Sequence, residues 1–153
     1  EYLAVVVERV LKLLNYRLTK ENIELDCVID PQMPKISMKT SAIQQVLLNL
    51  LSNAFDAVQS KHPKTIKIEV QLQRELVKII IDDNGCGIAA ADLANIFDPF
   101  FTTKPPGSGT GLGLAVSRSL IEAHRGQLFC RSELGRGSEF TICLPLHKGE
   151  DND

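Results

Sequence analysis

The sequence predicts a two-layer α/β sandwich, with one mixed, mostly antiparallel sheet covered by helices on one face. Three observations carry this reading. Three segments repeat apolar residues every three or four positions, and two pairs of segments alternate apolar with polar residues across short turns. The helices and hairpins also interleave without the strict strand–helix alternation of a parallel sheet. With 153 residues, 44% of them apolar, the chain suits one domain that buries its own core. That domain is expected over residues 1–147, and the polar residues 148–153 are expected to form a disordered tail.

Taken in order, Leu3, Val6, Val7, Val10, Leu13 and Leu14 mark an opening helix. Leu25, Cys27 and Ile29 alternate in a strand that Pro31 and Pro34 stop. Thr40 or Ser41 is placed to cap a second helix, whose Ile43, Val46, Leu47, Leu50, Leu51, Ala54 and Val58 form a broad buried face. "TIKIEVQLQRELVKIIIDDNG" reads as a hairpin in which Ile66, Ile68, Val70 and Leu72 face Val77, Ile79 and Ile81. "GSGTGLGLAVSRSLIEAHRGQ" then starts a third helix after a glycine at every second position. An interior glycine costs about 1 kcal/mol relative to alanine, so these glycines need a return outside helix propensity. Without a Cβ the backbone can approach a bulky anion, and the first N–H groups of the helix point at it. A flexible loop with a plain helix start fits the same pattern. "QLFCRS" and "SEFTICLPL", joined by "ELGRG", form the last hairpin.

The net charge of −2 shows no basic excess, so no nucleic-acid partner is expected. No run reaches the length of a membrane span, and the opening residues show no signal-peptide pattern. Because the chain opens at Glu1 in full helical pattern, it is expected to be cut from a longer parent. A cytoplasmic location is expected, with membrane attachment of that parent left open. Cys27, Cys86, Cys130 and Cys143 form no CxxC pair and have no histidine at ligand spacing. They are expected to be small buried hydrophobes in a reducing compartment.

The second helix has an unusual polar face. From Thr40 to Ser60 it contains no Lys, Arg or Glu, yet Gln45, Asn49, Ser52, Asp56 and Gln59 share a stripe with Asn53 at its edge. A solvated face would use long charged helix formers, so something is expected to cover this one. Short oxygen-bearing side chains one turn apart suit a hydrated cation such as Mg²⁺; a polar face packed on a loop is the alternative. "IIIDDNGCGI" carries Asp82 and Asp83 from a buried strand into a glycine turn. One reading is an ordinary Asx turn. The other gives Asp83 a ligand donor, and the exocyclic amine of adenine supplies one. "DPFFTTKPPGSG" reads as a mobile loop with aromatic anchors, in which Thr102, Thr103 and Lys104 either contact phosphate or face solvent.

In this order the stretches resemble the catalytic ATP-binding domain of sensor histidine kinases, in the superfamily shared with gyrase-type ATPases and heat-shock chaperones (GHKL). "QQVLLNLLSNAFDAV" is similar to the N box and "DDNGCGI" to the first glycine box. "FDPFFTTK" is similar to the F box, "GTGLGL" to the second glycine box and "GRGSEF" to the third. The resemblance implies that Asn53 holds Mg²⁺ against the triphosphate, that Asp83 reads adenine, and that Gly85 and Gly87 admit the base. It implies that Gly109, Thr110, Gly111, Leu112 and Gly113 line the phosphates, with an ATP lid between Phe97 and Ser108. Ile88, Phe101 and Leu114 are expected around the nucleotide, with Asn49, Thr102, Thr103 and Lys104, and Asn49 and Lys104 are expected to serve transfer. Ser138 stands where the family often has threonine and keeps the hydroxyl for a water link to the base.

In the hydrolysing relatives the residue one turn before the magnesium asparagine is usually a glutamate base. Here it is Asn49, whose amide cannot take a proton from water, so ATP is expected to be kept for transfer. Asp56 replaces a basic N-box residue common in sensor kinases, and is expected to support Mg²⁺ waters rather than phosphate. Arg125 stands where many relatives have a second glycine. No phosphoacceptor box occurs in the chain, so the substrate histidine must come from dimerisation and phosphoacceptor helices of the parent, with a response regulator acting downstream. The domain alone is expected to be a monomer. A non-catalytic nucleotide-binding module and a gyrase-type ATPase are the rival readings.

Overall fold

The computed structural model describes residues 1–103 and 113–146. Its elements run α1 (Leu3–Lys20), β1 (Ile23–Ile29), α2 (Thr40–Ala57), β2 (Lys64–Gln73), β3 (Leu76–Asp83), α3 (Ala90–Leu93), α4 (Gly113–Ala123), β4 (Gln127–Glu133) and β5 (Gly137–Pro145). The strand order is β1-β2-β3-β5-β4. Only β1 and β2 pair in parallel, across the connection that contains α2, and the other three pairings are antiparallel. The predicted mixed sandwich is therefore the observed fold.

Strand register determines where chemistry is possible. Cys27, Ile68, Ile81, Phe140 and Cys130 pair in one row across all five strands, and Ile68, Ile81 and Phe140 belong to the core shared with α1, α2 and α4. Two positions further along, on the same side, the row is Leu25, Ile66, Asp83, Ser138 and Ser132. The helix-covered face thus turns polar at the end of the sheet. Because strand side chains alternate, Asp82 falls on the opposite face, in a row of Asp26, Lys67, Asp82, Glu139 and Arg131. Of the two neighbouring aspartates, Asp83 is buried and Asp82 exposed.

Several local expectations need correction. Leu13 is 59% exposed, because the stripe that faces the core runs through Val10 to Leu14 and Leu18 and leaves Leu13 on the solvent side. Neither Thr40 nor Ser41 caps α2. Lys39 holds the N-cap position without a side-chain bond, and the Thr40 hydroxyl donates to Glu1 Oε2 at 2.8 Å. The described part of α4 begins at Gly113, and residues 104–112, with the glycines at 107, 109 and 111, lie outside the described residues. Cys86 is exposed, and Cys27, Cys130 and Cys143 are only half-buried. The tail 148–153 lies outside the described residues.

Arg125 adopts φ +60°, the left-handed conformation that a glycine would take after a helix. Its N–H donates to Glu122 O at 2.9 Å, and Gly126 N–H donates to Ile121 O at 3.0 Å. The turn that ends α4 is therefore retained without the second glycine.

Candidate functional site

A cavity of about 410 Å³ opens at the polar end of the sheet, within the size range of small-ligand sites. Asn53, Asp56 and Ala57 from α2 form one wall, Asp83 and Ser138 from paired strands form the floor, and Gly113 and Leu114 begin the opposite side. Cys86, Gly87 and Ile88 come from the turn after β3. Ile96, Phe101, Thr102 and Thr103 come from the connection after α3. Residues far apart in sequence converge here because β3 and β5 pair edge to edge while α2 packs across them.

Asp83 is only 6% exposed. Its Oδ1 accepts the backbone N–H of Gly85 at 2.9 Å and that of Ser138 at 3.3 Å. The first of these is the Asx turn anticipated from sequence, made by the same residue proposed to read a ligand. Among the described residues Oδ2 has no hydrogen-bond partner, and no fully buried side-chain oxygen or nitrogen lacks one. Oδ2 is therefore the oxygen available to a molecule in the cavity. Burial pushes the Asp83 carboxyl up to about 6, against the two backbone donors that pull it down and with a smaller push from Asp82.

Ser132 connects this floor to the neighbouring turn, and sequence reasoning did not single it out. Its Oγ accepts the Ile88 N–H at 2.7 Å and lies 2.9 Å from Gly137 O and 2.8 Å from Ser138 Oγ. The pairing of Ser132 with Ser138 in the last hairpin is the only sequence signal that pointed to it.

The glycines of the turn relieve protein contacts. A Cβ at Gly85 would lie 2.6 Å from the Ala57 carbonyl oxygen, and one at Gly87, where φ is +71°, would collide with the Glu133 carbonyl. Gly85 is absent from the described cavity wall, and its small size lets the turn pack on α2. Asn84 anchors the same turn from behind: its Oδ1 accepts Thr65 N–H at 3.0 Å and its Nδ2 donates to Pro63 O at 2.7 Å.

The polar stripe of α2 is covered only in part: Gln45 and Gln59 at its two ends are exposed, while α4 engages Asn49 and α1 reaches Asp56. Asn49 Nδ2 donates to Gly113 O at 3.2 Å and to Ser117 Oγ at 3.1 Å, while its Oδ1 accepts from Gln45 Nε2 at 2.9 Å. These bonds tie α2 to α4 and keep Asn49 off the described wall. Asn53 faces the cavity. Asp56 lines the cavity and also pairs with Arg17 Nη2 from α1. The Arg17 Nε donates to Glu21 at 2.6 Å, and its guanidinium lies 5.3 Å from the Phe55 ring centre. The pairing joins helices 39 residues apart in sequence, and no local pattern announces it.

Ile88, Phe101, Thr102, Thr103, Leu114 and Ser138 are thus brought together with Asn53, Asp56, Asp83, Gly87 and Gly113. Lys104, Gly109, Thr110, Gly111 and Leu112 lie outside the described residues. Among the described residues, no group of three or more His, Cys, Asp or Glu is placed to hold a metal ion, and no helix is long and apolar enough to cross a membrane.

A family model described as histidine kinase-, DNA gyrase B-, and HSP90-like ATPase matches residues 38–148. The signal transduction histidine-protein kinase AtoS of Escherichia coli strain K12 is 38% identical over 143 residues, covering 93% of this chain and 23% of its own length. The chain spans about a quarter of the length of the curated relatives it matches. Among solved structures, the nucleotide-free catalytic domain of histidine kinase ThkA superposes with a TM-score of 0.84 at 30% identity, covering 95% of this chain and 93% of that one. Full-length ShkA in complex with AMPPNP superposes with a TM-score of 0.81 at 27% identity, covering 92% of this chain and 29% of that one.

Proposed function

Because the chain belongs to the family of histidine kinase-, DNA gyrase B- and HSP90-like ATPases, we propose that its cavity binds ATP with Mg²⁺. The domain then supplies the γ-phosphoryl group to a histidine on a separate phosphoacceptor helix of a longer parent kinase. The observation that carries the reading is Asp83, a buried carboxylate on the cavity floor with one oxygen held by two backbone donors and the other unpartnered among the described residues. Such an oxygen calls for a donor. Adenine offers its exocyclic amine, whereas guanine presents an acceptor at the equivalent position and would leave the carboxylate unmatched. Apolar Ile88, Ile96, Phe101 and Phe140 on the same walls suit the faces of a purine.

The donor set fits magnesium. Asn53 and Asp56 present oxygens one helical turn apart on the cavity wall, and Mg²⁺ characteristically takes one or two protein ligands and completes its shell with water and substrate phosphates. When bound, the ion neutralises phosphate charge. Asn53 is assigned to hold it. Asp56, paired with Arg17, supports its waters.

Transfer is favoured over hydrolysis. Asn49 is an amide whose donor and acceptor atoms are committed to Gly113, Ser117 and Gln45, and an amide does not serve as a general base. Of the carboxylates on the described wall, Asp56 pairs with Arg17 and Asp83 sits at the floor. Phosphoryl transfer depends mainly on positioning and charge neutralisation, so a strong protein base is not essential. Mixing the domain with the parent's dimerising phosphoacceptor helices and labelled ATP tests the proposal. Acid-labile phosphohistidine is expected; ATP binding without it points to a non-catalytic nucleotide module, and steady phosphate release by the domain alone points to an ATPase.

A further inference from the structure

Cys86 is the only exposed cysteine of the four, and it is also part of the cavity wall. Its backbone is held on both sides: its N–H donates to Ala57 O at 3.0 Å, and its carbonyl accepts Gly135 N–H at 2.7 Å. Glycine lies on either side of it, and each is pressed against a neighbouring backbone. The residue therefore cannot swing away from the opening without breaking the turn that shapes the site. Asp83, nine-tenths buried and with Oδ2 unpartnered among the described residues, independently points to a ligand in the same cavity.

We propose that Cys86 is a modification site, at which a low-molecular-weight disulfide of the glutathione class forms a mixed disulfide that closes the cavity to nucleotide. The inference rests on the nucleotide reading above and adds a regulator to that site. The exchange balances without a further oxidant. The Cys86 thiol gives up its proton, and its sulfur attacks one sulfur of the disulfide. The new S–S bond forms as the old one breaks, and the departing thiolate takes the proton. Cys86 is oxidised and one glutathione is reduced. A peptide-sized adduct fixed to the wall of a cavity of about 410 Å³ competes directly with the base and sugar of a nucleotide.

The remaining thiols are poor competitors for the reagent. Burial pushes the Cys130 thiol up to about 12, with Asp83 and Glu139 adding to the shift. Burial also raises the Cys27 thiol, and Cys143 is half-buried. Attack requires thiolate and access together.

Treating the chain with oxidised glutathione, then measuring intact mass, peptide map and ATP titration, tests the inference. One adduct on Cys86 is expected, with ATP affinity lowered at least about tenfold and restored by dithiothreitol. Saturating Mg²⁺–ATP should slow adduct formation. The Cys86→Ser variant should take no adduct, and its ATP affinity should not respond to oxidised glutathione. Absence of an adduct on Cys86, or an adduct that leaves ATP affinity unchanged, overturns the inference alone. Failure of the untreated chain to bind ATP overturns the nucleotide reading and this regulator with it.

Discussion

The backbone N–H of Ser138 reaches Asp83 Oδ1 across 3.3 Å, so a residue of β5 helps to hold the buried carboxylate of β3. Burial outweighs this donor and that of Gly85 and holds the carboxyl at about 6, above its ordinary 3.8. Between those values the folded protein retains a proton that the unfolded chain has released. Stability from this group is therefore greatest below about pH 4, falls as pH rises toward 6, and stays at the lower level at neutral pH. Asp83→Asn keeps an oxygen for both N–H groups and removes the charge. It is expected to raise stability at pH 8 by on the order of 1–3 kcal/mol, and by less at pH 5. Urea denaturation at the two pH values measures the difference; equal effects at both would show that the carboxylate carries no such cost.

The two glycines on the cavity wall should respond differently to a methyl group. At Gly87 the new Cβ meets the Glu133 carbonyl with φ at +71°. Gly87→Ala is expected to cost more than about 2 kcal/mol. At Gly113 the only atom within 4 Å among the described residues is Asn49 Cγ at 3.9 Å, an ordinary contact. Gly113→Ala is expected to change stability by less than about 1 kcal/mol. Thermal unfolding of the pair separates packing from ligand roles, because any larger loss of nucleotide affinity in Gly113→Ala must then come from the ligand side.

Ser132 Oγ is the acceptor for the Ile88 N–H. Ser132→Ala is expected to destabilise the chain by about 1–3 kcal/mol, since a part-buried donor loses its partner. Hydrogen exchange at Ile88 should accelerate. Unchanged exchange there would remove Ser132 from the support of the site.

Arg125 occupies a left-handed conformation that costs an L-residue roughly 1 kcal/mol. Arg125→Gly is expected to stabilise the chain by about 0.5–1 kcal/mol, measured by chemical denaturation. Destabilisation would mean that the arginine side chain contributes more than its backbone loses.

Sequence periodicity was enough for the sandwich and its hairpins, because alternating residues such as Ile66, Ile68 and Val70 have one way to bury a face. "DDNG" after a buried strand also marked the carboxylate; the register of β3 determines that it is Asp83 rather than Asp82. Non-local choices were not legible. Arg17 sits in the last turn of α1, where a basic residue is ordinary helix chemistry, and only the packing of α1 on α2 brings it to Asp56. Asn49 reads as a site residue from its spacing, yet the approach of α4 engages its amide. Cys86 reads as a small hydrophobe by composition, and becomes exposed because the turn carrying it is pinned between Ala57 and Gly135 at the cavity edge.

Calorimetric titration of ATP and GTP into the wild-type chain and Asp83→Asn tests the adenine assignment most directly. The wild type is expected to prefer ATP over GTP by at least about tenfold, and Asp83→Asn to lose at least about tenfold in ATP affinity, roughly 1.4 kcal/mol. Equal affinity for the two nucleotides, or ATP binding untouched by the substitution, would contradict the claim that this carboxylate reads the base.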